Sequence, residues 1–480
     1  MKELTNIALN KAQLLGATYA DIRTIDSKSE SILIKNGKVE AITRSENSGF
    51  GVRILADGAW GFASSFKLEP DEIESTTALA FQIARASSLA LKEKVVLGPV
   101  RAVKDHYETL VEKDPFEIPL ATKLTLLAAA EETMRTTKGV SISQASLDFS
   151  QKNQIFASTE GAYIEQKITT SGGGIMAQAI RGGEIQQRSY PNSHGGQYGT
   201  AGYEFIEPLG IQENAQRVAE EAVALLSAPA CPSTKTTLII DSSQLGLQIH
   251  ESIGHPTELD RVVGMEASFA GTSFLTLDKL KKYKFGTDIV NITADATIPR
   301  ALGTFGYDDE GIKSQRTKLV EKGTLVGYLT SRETSHLLGE ESNGTMRADG
   351  WNRIPLIRMT NINLEPGGQS LEEIISQTRE GVYFETNKSW SIDDKRLNFQ
   401  FACEIGWEIK NGKRAKILKN PNYTGITPEF WGSCDAIADE KSWKVWGLPN
   451  CGKGEPTQIA KVAHGTSPAR FRNVRIGVGR

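Results

Sequence analysis

Cysteine is scarce in this sequence: Cys231, Cys403, Cys434 and Cys451 are the four in 480 residues, and no two of them form a C-x-x-C pair. A disulfide framework is therefore not expected, and the default place for such thiols is the apolar interior. Charge of one sign is lacking too, since 55 Lys plus Arg face 58 Asp plus Glu, for a net charge of -3. Without a basic tract to neutralise a row of phosphates, nucleic acid is not an expected partner. No uncharged apolar run reaches the roughly eighteen residues needed to cross a bilayer, and the start MKELTNIALN lacks the apolar stretch of a secretory signal. No membrane partner is expected, and the setting this implies is cytoplasmic.

What is present fits a soluble chain with a sizeable core: 39% of residues are hydrophobic and 24% charged. At a soft prior of about 150 residues per domain, the length suggests two to four domains. Apolar residues at helical spacing (Leu4, Ile7, Ala8, Ala12, Leu15) predict a helix over 2–15 with Gly16 as its stop. Hairpin signals at Asn36-Gly37 and Asp57-Gly58 predict an antiparallel sheet over about 20–65. Helices are expected at about 70–92, 118–137 and 211–227, and strands from 140 to 190, interrupted at Gly172-Gly173-Gly174.

Ala228-Pro229-Ala230-Cys231-Pro232 cannot continue a helix and marks the expected domain boundary. The fold class read from this is α+β: an N-terminal α/β region over 1–230, with subdomains at about 1–100 and 101–230, and a β-rich domain over 231–480 carrying a metal-binding helix. In the second half a helix is expected at about 243–253, with hairpins through Glu321-Lys322-Gly323 and Asn411-Gly412.

Two of only six histidines fall in His250-Glu251-Ser252-Ile253-Gly254-His255. Random placement of H-E-x-x-x-H in this composition is expected only about 0.005 times. Spacing i, i+5 separates two side chains by about 140° on an ideal α-helix, too far for both to reach one ion. Gly254 and Pro256 supply a distortion, predicted between Ile253 and His255, that would swing His255 back. Asp241, Ser242 or Ser243 is the expected N-cap, and Leu245, Leu247 and Ile249 the apolar anchors.

An open catalytic zinc site wants three protein ligands. The residues favour Cys451 as the third, on a Gly-rich loop beside Lys453, which would promote the thiolate. Cys403, in an apolar strand-like run, reads as core. Glu258 and Asp260 remain alternatives that also fit a solvated loop. Glu251, next to the first histidine, suits a general base acting on water. His464 is either an oxyanion hydrogen-bond donor or a structural histidine. Asp308-Asp309-Glu310-Gly311 reads as a solvated turn ahead of a second metal site, and His106, His194 and His336 as structural or surface residues.

Further matches lie along nearly the whole chain: Gly49-Phe50-Gly51-Val52-Arg53 with Gly61-Phe62-Ala63, Asp260 after the histidine motif, Asp308 to Gly311, Arg358-Met359-Thr360-Asn361, and Asn450-Cys451-Gly452-Lys453. In this order they resemble the TldD/PmbA family of metalloproteases, in its TldD-like, metal-carrying branch. The resemblance implies that His250, His255 and Cys451 bind one zinc-like ion per chain, with iron also compatible, and that Glu251 is the catalytic carboxylate. It implies cleavage of unfolded or short peptides, some of them peptide-antibiotic precursors. It also implies a dimer, either a homodimer or a pair with a PmbA-like subunit. Peptide added as a strand to a sheet edge would be held near Gly172 to Ile175, including Gly173 and Gly174, and near Arg358 to Ile362, including Asn361. Competing readings are a metal-dependent amide hydrolase of a small substrate and a peptide-binding scaffold with a structural metal.

Overall fold

The computed structural model describes residues 1–267 and 271–477. The N-terminal pattern folds as its local signals dictate. Helix α1 (Lys2–Leu15) ends at Gly16, whose φ of 90° is the left-handed stop. Strands β1 (Tyr19–Lys35), β2 (Lys38–Ala56) and β3 (Ala59–Ser65) are joined by turns whose residues Asn36, Gly37, Asp57 and Gly58 all take positive φ. Helix α2 (Pro70–Ser88) ends four residues earlier than expected, and β4 (Lys104–Glu108) was not foreseen. After α3 (Leu120–Thr136) come β5 (Val140–Ser158), β6 (Tyr163–Arg181), β7 (Glu184–Tyr190) and β8 (Gln197–Gly199).

These strands form one eight-stranded sheet ordered β3-β2-β1-β5-β6-β4, with β7 and β8 also on β6. The pairing of β1 with β5 joins the early hairpins to the later strands, and β4 is the one parallel strand. Helices α3 and α4 (Ile211–Leu225) share a core with β5 and β6 through Leu127, Ala130, Leu147, Ile175, Ala215 and Val218, while α1 and α2 pack against β1 to β3 through their alanines.

Past Pro232 the chain builds a seven-stranded and a six-stranded sheet. One contains the strands Thr234–Ile240, Glu380–Ile392, Asn398–Lys410, Lys413–Leu418, Asn422–Ile426, Cys434–Ile437 and Ala469–Ile476. The other runs in the order Thr324–Leu325, Arg316–Glu321, Ile292–Asp295, Asn361–Leu364, Gln458–Thr466, Lys444–Lys453, which leaves Lys444–Lys453 at an edge. Helix α5 (Ser242–Ile249) is buried along its whole length between them; Leu245, Ile249 and Ile253 meet Trp431, Leu238 and Ile362 in the main core. No helix among the described residues is long and apolar enough to cross a membrane.

The Asp308 to Gly311 segment departs from expectation. It is a buried clasp between the N-terminal sheet and the second half, not a solvated turn. Asp308, Asp309 and Glu310 are 1%, 4% and 2% exposed. Asp308 accepts from the backbone N–H groups of Glu310, Ile312 and Met346. Asp309 pairs with Arg23 of β1 at 3.2 Å, and Glu310 with Arg53 of β2 at 3.3 Å, while Arg53 also holds Asp21 at 2.8 Å. Each buried acid thus has a cation or backbone donors, the condition under which charge is tolerated inside a protein. Asn361 belongs to this kind of structural work too: fully buried, it accepts from Gly303 N and donates to Asp295 O and Thr304 Oγ1.

Candidate metal centre

Asp241 caps α5, accepting from Ser243 N at 2.8 Å. The helix then widens instead of ending. Residues His250–Gly254 form a π turn in which the N–H of His255 donates to the carbonyl of His250, followed by a 3₁₀ turn over His255–Thr257. The distortion therefore begins one turn earlier than the sequence suggested. An i→i+5 hydrogen bond brings residues five apart to one face, which is why H-E-x-x-x-H works here where an α-helix would splay the rings. Freed carbonyls are met by side chains: Ser252 Oγ donates to Gln248 O at 2.5 Å, and Thr257 Oγ1 to Ile253 O at 2.8 Å. At Gly254 a Cβ would sit 2.2 Å from Met359 Sδ, so a larger residue in the turn would have to displace that buried methionine.

His250, His255 and Cys451 converge with their ligand atoms within 4.8 Å of one another, all buried. Sγ of Cys451 lies 3.4 Å from His250 Nε2 and 3.7 Å from His255 Nε2. A tetrahedral zinc with ordinary Zn–S and Zn–N bonds sets its sulfur and nitrogen ligands about 3.6 Å apart. Cys451 comes not from a loop but from the edge strand Lys444–Lys453, with a register irregularity between Leu448 and Cys451.

The electrostatics suit lone-pair donors. Burial lowers His250 to about 4 and takes His255 well below its ordinary value, although Glu251 and the thiol oppose this. Burial works to raise the Cys451 thiol, but His255 and Arg358 outweigh it and leave its pKa below the ordinary value. Lys453 is not the activating cation. Its ammonium binds Asp260 at 2.7 and 2.8 Å and the Ile357 carbonyl.

Each imidazole is oriented from behind. His255 Nδ1 faces Glu258 Oε2 at 2.9 Å, a carboxylate that fixes the proton on Nδ1 and leaves Nε2 free. Glu258 is fully buried and Asp260 nearly so, which corrects the solvated-loop reading. His250 Nδ1 faces His464 Nε2 at 2.8 Å. A free Nε2 on His250 requires Nδ1–H as donor and His464 as acceptor. His464 thus sits behind His250, with its Nε2 engaged there instead of facing an oxyanion. The three donors, buried and with pKa values held below the ordinary, and the two imidazoles braced from behind, fit a divalent ion of zinc's kind.

Matches to known protein families cover most of the chain. The model described as PmbA/TldA metallopeptidase domain 1 matches 20–84, the central domain 113–226 and the C-terminal domain 233–477. A metalloprotease of Methanocaldococcus jannaschii is 31% identical over 439 residues, spanning 91% of this chain and 92% of that protein. The chain belongs to the TldD/PmbA metallopeptidase family. Another TldD/PmbA member, the zinc metalloprotease TldD homolog of Saccharolobus solfataricus, is 22% identical over 470 residues, 98% of each chain. The crystal structure of TldE from Thermococcus kodakarensis shares the fold at a TM-score of 0.72 and 14% identity, covering 99% of this chain and 100% of that one.

Of the remaining candidates, Glu251 is buried and held by Arg396 Nη1 at 2.5 Å, a partner that sequence reasoning missed. Arg396 lies in the turn between strands Glu380–Ile392 and Asn398–Lys410, with φ of 64°. Arg358 binds the Cys451 carbonyl at 2.5 Å and the Gln458 carbonyl at 3.0 Å, so it braces the strand that carries the thiol. Gly173 and Gly174 lie inside an unbroken β6, between β5 on one side and β7 and β8 on the other. They offer no free edge. A Cβ on Gly173 would meet Ser146 O at 2.3 Å, which makes close sheet packing their reason for being glycine. Cys403 is core, as expected, while His106 and His336 are exposed and His194 packs its ring on Trp390.

Proposed function

We propose that this TldD/PmbA protein is a TldD-like, zinc-dependent peptidase that hydrolyses unfolded or extended peptides, with His250, His255 and Cys451 as metal ligands and Glu251 as general base. The observation that carries the reading is the convergence of two imidazole nitrogens and a thiol sulfur, at zinc-like spacing and each with its pKa held below the ordinary value, beside a buried carboxylate. An ion bound there supplies Lewis acidity, polarising a carbonyl and easing deprotonation of water.

The protein's own groups do the rest. Glu251 takes the proton from the attacking water and returns it to the leaving amine. Arg396 fixes the direction of that carboxylate. Glu258 and His464 hold the two imidazoles in the tautomers that present Nε2. Extended substrate adds along the edge strand Lys444–Lys453, the strand that carries Cys451, through backbone pairing that tolerates many side chains. Gln197 already occupies part of that edge at Val445 and Gly447, so the peptide lies toward Cys451.

In the cell the chain works in the cytoplasm, as a homodimer or with a PmbA-like subunit. The test is digestion of an unstructured polypeptide with and without a chelator, alongside Glu251→Gln. Chelator-sensitive cleavage lost in the variant supports the proposal; cleavage indifferent to both overturns it.

A further inference from the structure

A cavity of about 270 Å³ opens between β1, β5 and β6 of the N-terminal sheet and the strands of the metal-site sheet. Its lining is cationic. Lys152, Lys461, Arg347 and Arg358 all contribute, against Asp309 and Asp349. Asp309 is already matched by Arg23, Gln154 and Ala348 N, and Asp349 accepts from Ile459 N.

The cations are matched only at a distance: Asp148 and Asp349 act on Lys461, and Asp309 and Asp349 on Lys152, without a contact ion pair to either lysine among the described residues. Lys461 Nζ donates only to hydroxyls, those of Ser150 and Thr170. Arg347 and Arg358 donate to backbone carbonyls, and the Nε of each is buried without a hydrogen-bond partner. The Lys152 ammonium makes no hydrogen bond or close ion pair among the described residues. Burial and neighbouring cations lower Lys461 to about 8 and Lys152 below its ordinary value, and the carboxylates nearby do not offset this. Cations gathered around one cavity without a contact counter-ion favour an anion that joins them.

The position is as informative as the charge. Arg358, 1% exposed, lines the cavity and also holds the Cys451 carbonyl at 2.5 Å. Pro449 and Ala460, the latter paired with Cys451, line it as well. The cavity therefore adjoins the strand that presents the thiol.

We propose that this cavity is a specificity subsite that takes a carboxylate of the peptide substrate, held by Lys152, Lys461 and the two arginines. The inference rests on the peptidase reading but concerns recognition, not cleavage. The carboxylate comes either from an Asp or Glu side chain or from a free C-terminus. The volume accommodates a short side chain with several waters.

Four matched fluorescent peptides decide it: Glu or Gln at the variable position, each with a free or an amidated C-terminus. Binding is measured by anisotropy to zinc-loaded Glu251→Gln protein, and to the same protein carrying Lys152→Gln and Lys461→Met. Melting temperature confirms that the variants fold. In the latter, Ser150 and Thr170 keep each other as partners at 2.7 Å. The proposal expects at least about tenfold tighter binding of one carboxylate-bearing form, and the arm that shows it names the source. That preference should collapse in the lysine variant. Equal binding of all four peptides, no binding, or a preference that survives loss of both lysines overturns it. Cleavage of the same peptides by the unmodified protein is scored separately. Selective binding without chelator-sensitive cleavage keeps the subsite and sinks the peptidase, and unselective binding with cleavage does the reverse.

Discussion

Two buried polar clusters of this protein, the His250/His255/Cys451 site and the Asp308 to Glu310 clasp, differ in how their charge is balanced. In the clasp Asp309 and Glu310 each meet an arginine from the N-terminal sheet, and Asp308 accepts backbone N–H groups from its own turn and from Met346, so the balance closes within the chain. At the histidine site three lone-pair donors point at one another, and their outer atoms are braced by Glu258 and His464. A single thiol proton on Cys451 can serve only one of the two Nε2 lone pairs it faces, so the chain alone leaves the cluster under-satisfied. The comparison teaches that mutual pairing marks a structural network, whereas convergence of donors marks a place for an ion.

The contrast can be broken most severely at Cys451. Cys451→Ala should take bound zinc from about one per chain to nearly none by elemental analysis, while the fold persists. Glu251→Gln should leave that stoichiometry intact and reduce peptide turnover by about 10²- to 10⁴-fold, the range for a lost proton-transfer group. In the clasp, Arg53→Met strips the cation from Asp21 and Glu310. It should cost about 3–5 kcal/mol in urea unfolding with zinc content unchanged. If it emptied the metal site instead, the two clusters would not be separable.

Smaller effects sharpen the comparison. Glu258→Gln and His464→Phe should each weaken zinc binding by about 10- to 100-fold in competition with a chromophoric chelator. The pH dependence of the metal-free protein follows from His250, which burial lowers to about 4. Between its unfolded value near 6.5 and that folded value, the unfolded chain holds a proton that the folded one refuses. Stability should therefore fall as pH drops through this window; a urea midpoint that stays flat from pH 7 to 5 would contradict it.

Much of the N-terminal sheet was legible because hairpin chemistry is local: Asn36-Gly37 and Asp57-Gly58 specify their turns whatever packs around them. The pairing of His250 with His255 was legible for a different reason, that two of six histidines fall in one short motif, while Cys451 stood against Glu258 and Asp260 until the family resemblance pointed to it. The π turn was not, since Gly254 and Pro256 announce a distortion without saying where it begins. Burial of acids was the main misreading. Asp308, Asp309, Glu310, Glu258 and Asp260 look solvated until Arg23, Arg53 and Lys453 arrive from segments far away in the chain, and one sequence carries no pairing information at that range. Glycines at 172–174 likewise signalled an interruption, where the cause is close packing by Leu147, Tyr198 and Gly196 on a continuous strand.

Zinc K-edge X-ray absorption on the purified, zinc-loaded protein tests the central claim most directly. The account predicts one sulfur at about 2.3 Å and two imidazole nitrogens at about 2.0–2.1 Å, with the sulfur scattering lost in Cys451→Ser. A first shell of oxygen and nitrogen alone in the unmodified protein would contradict it.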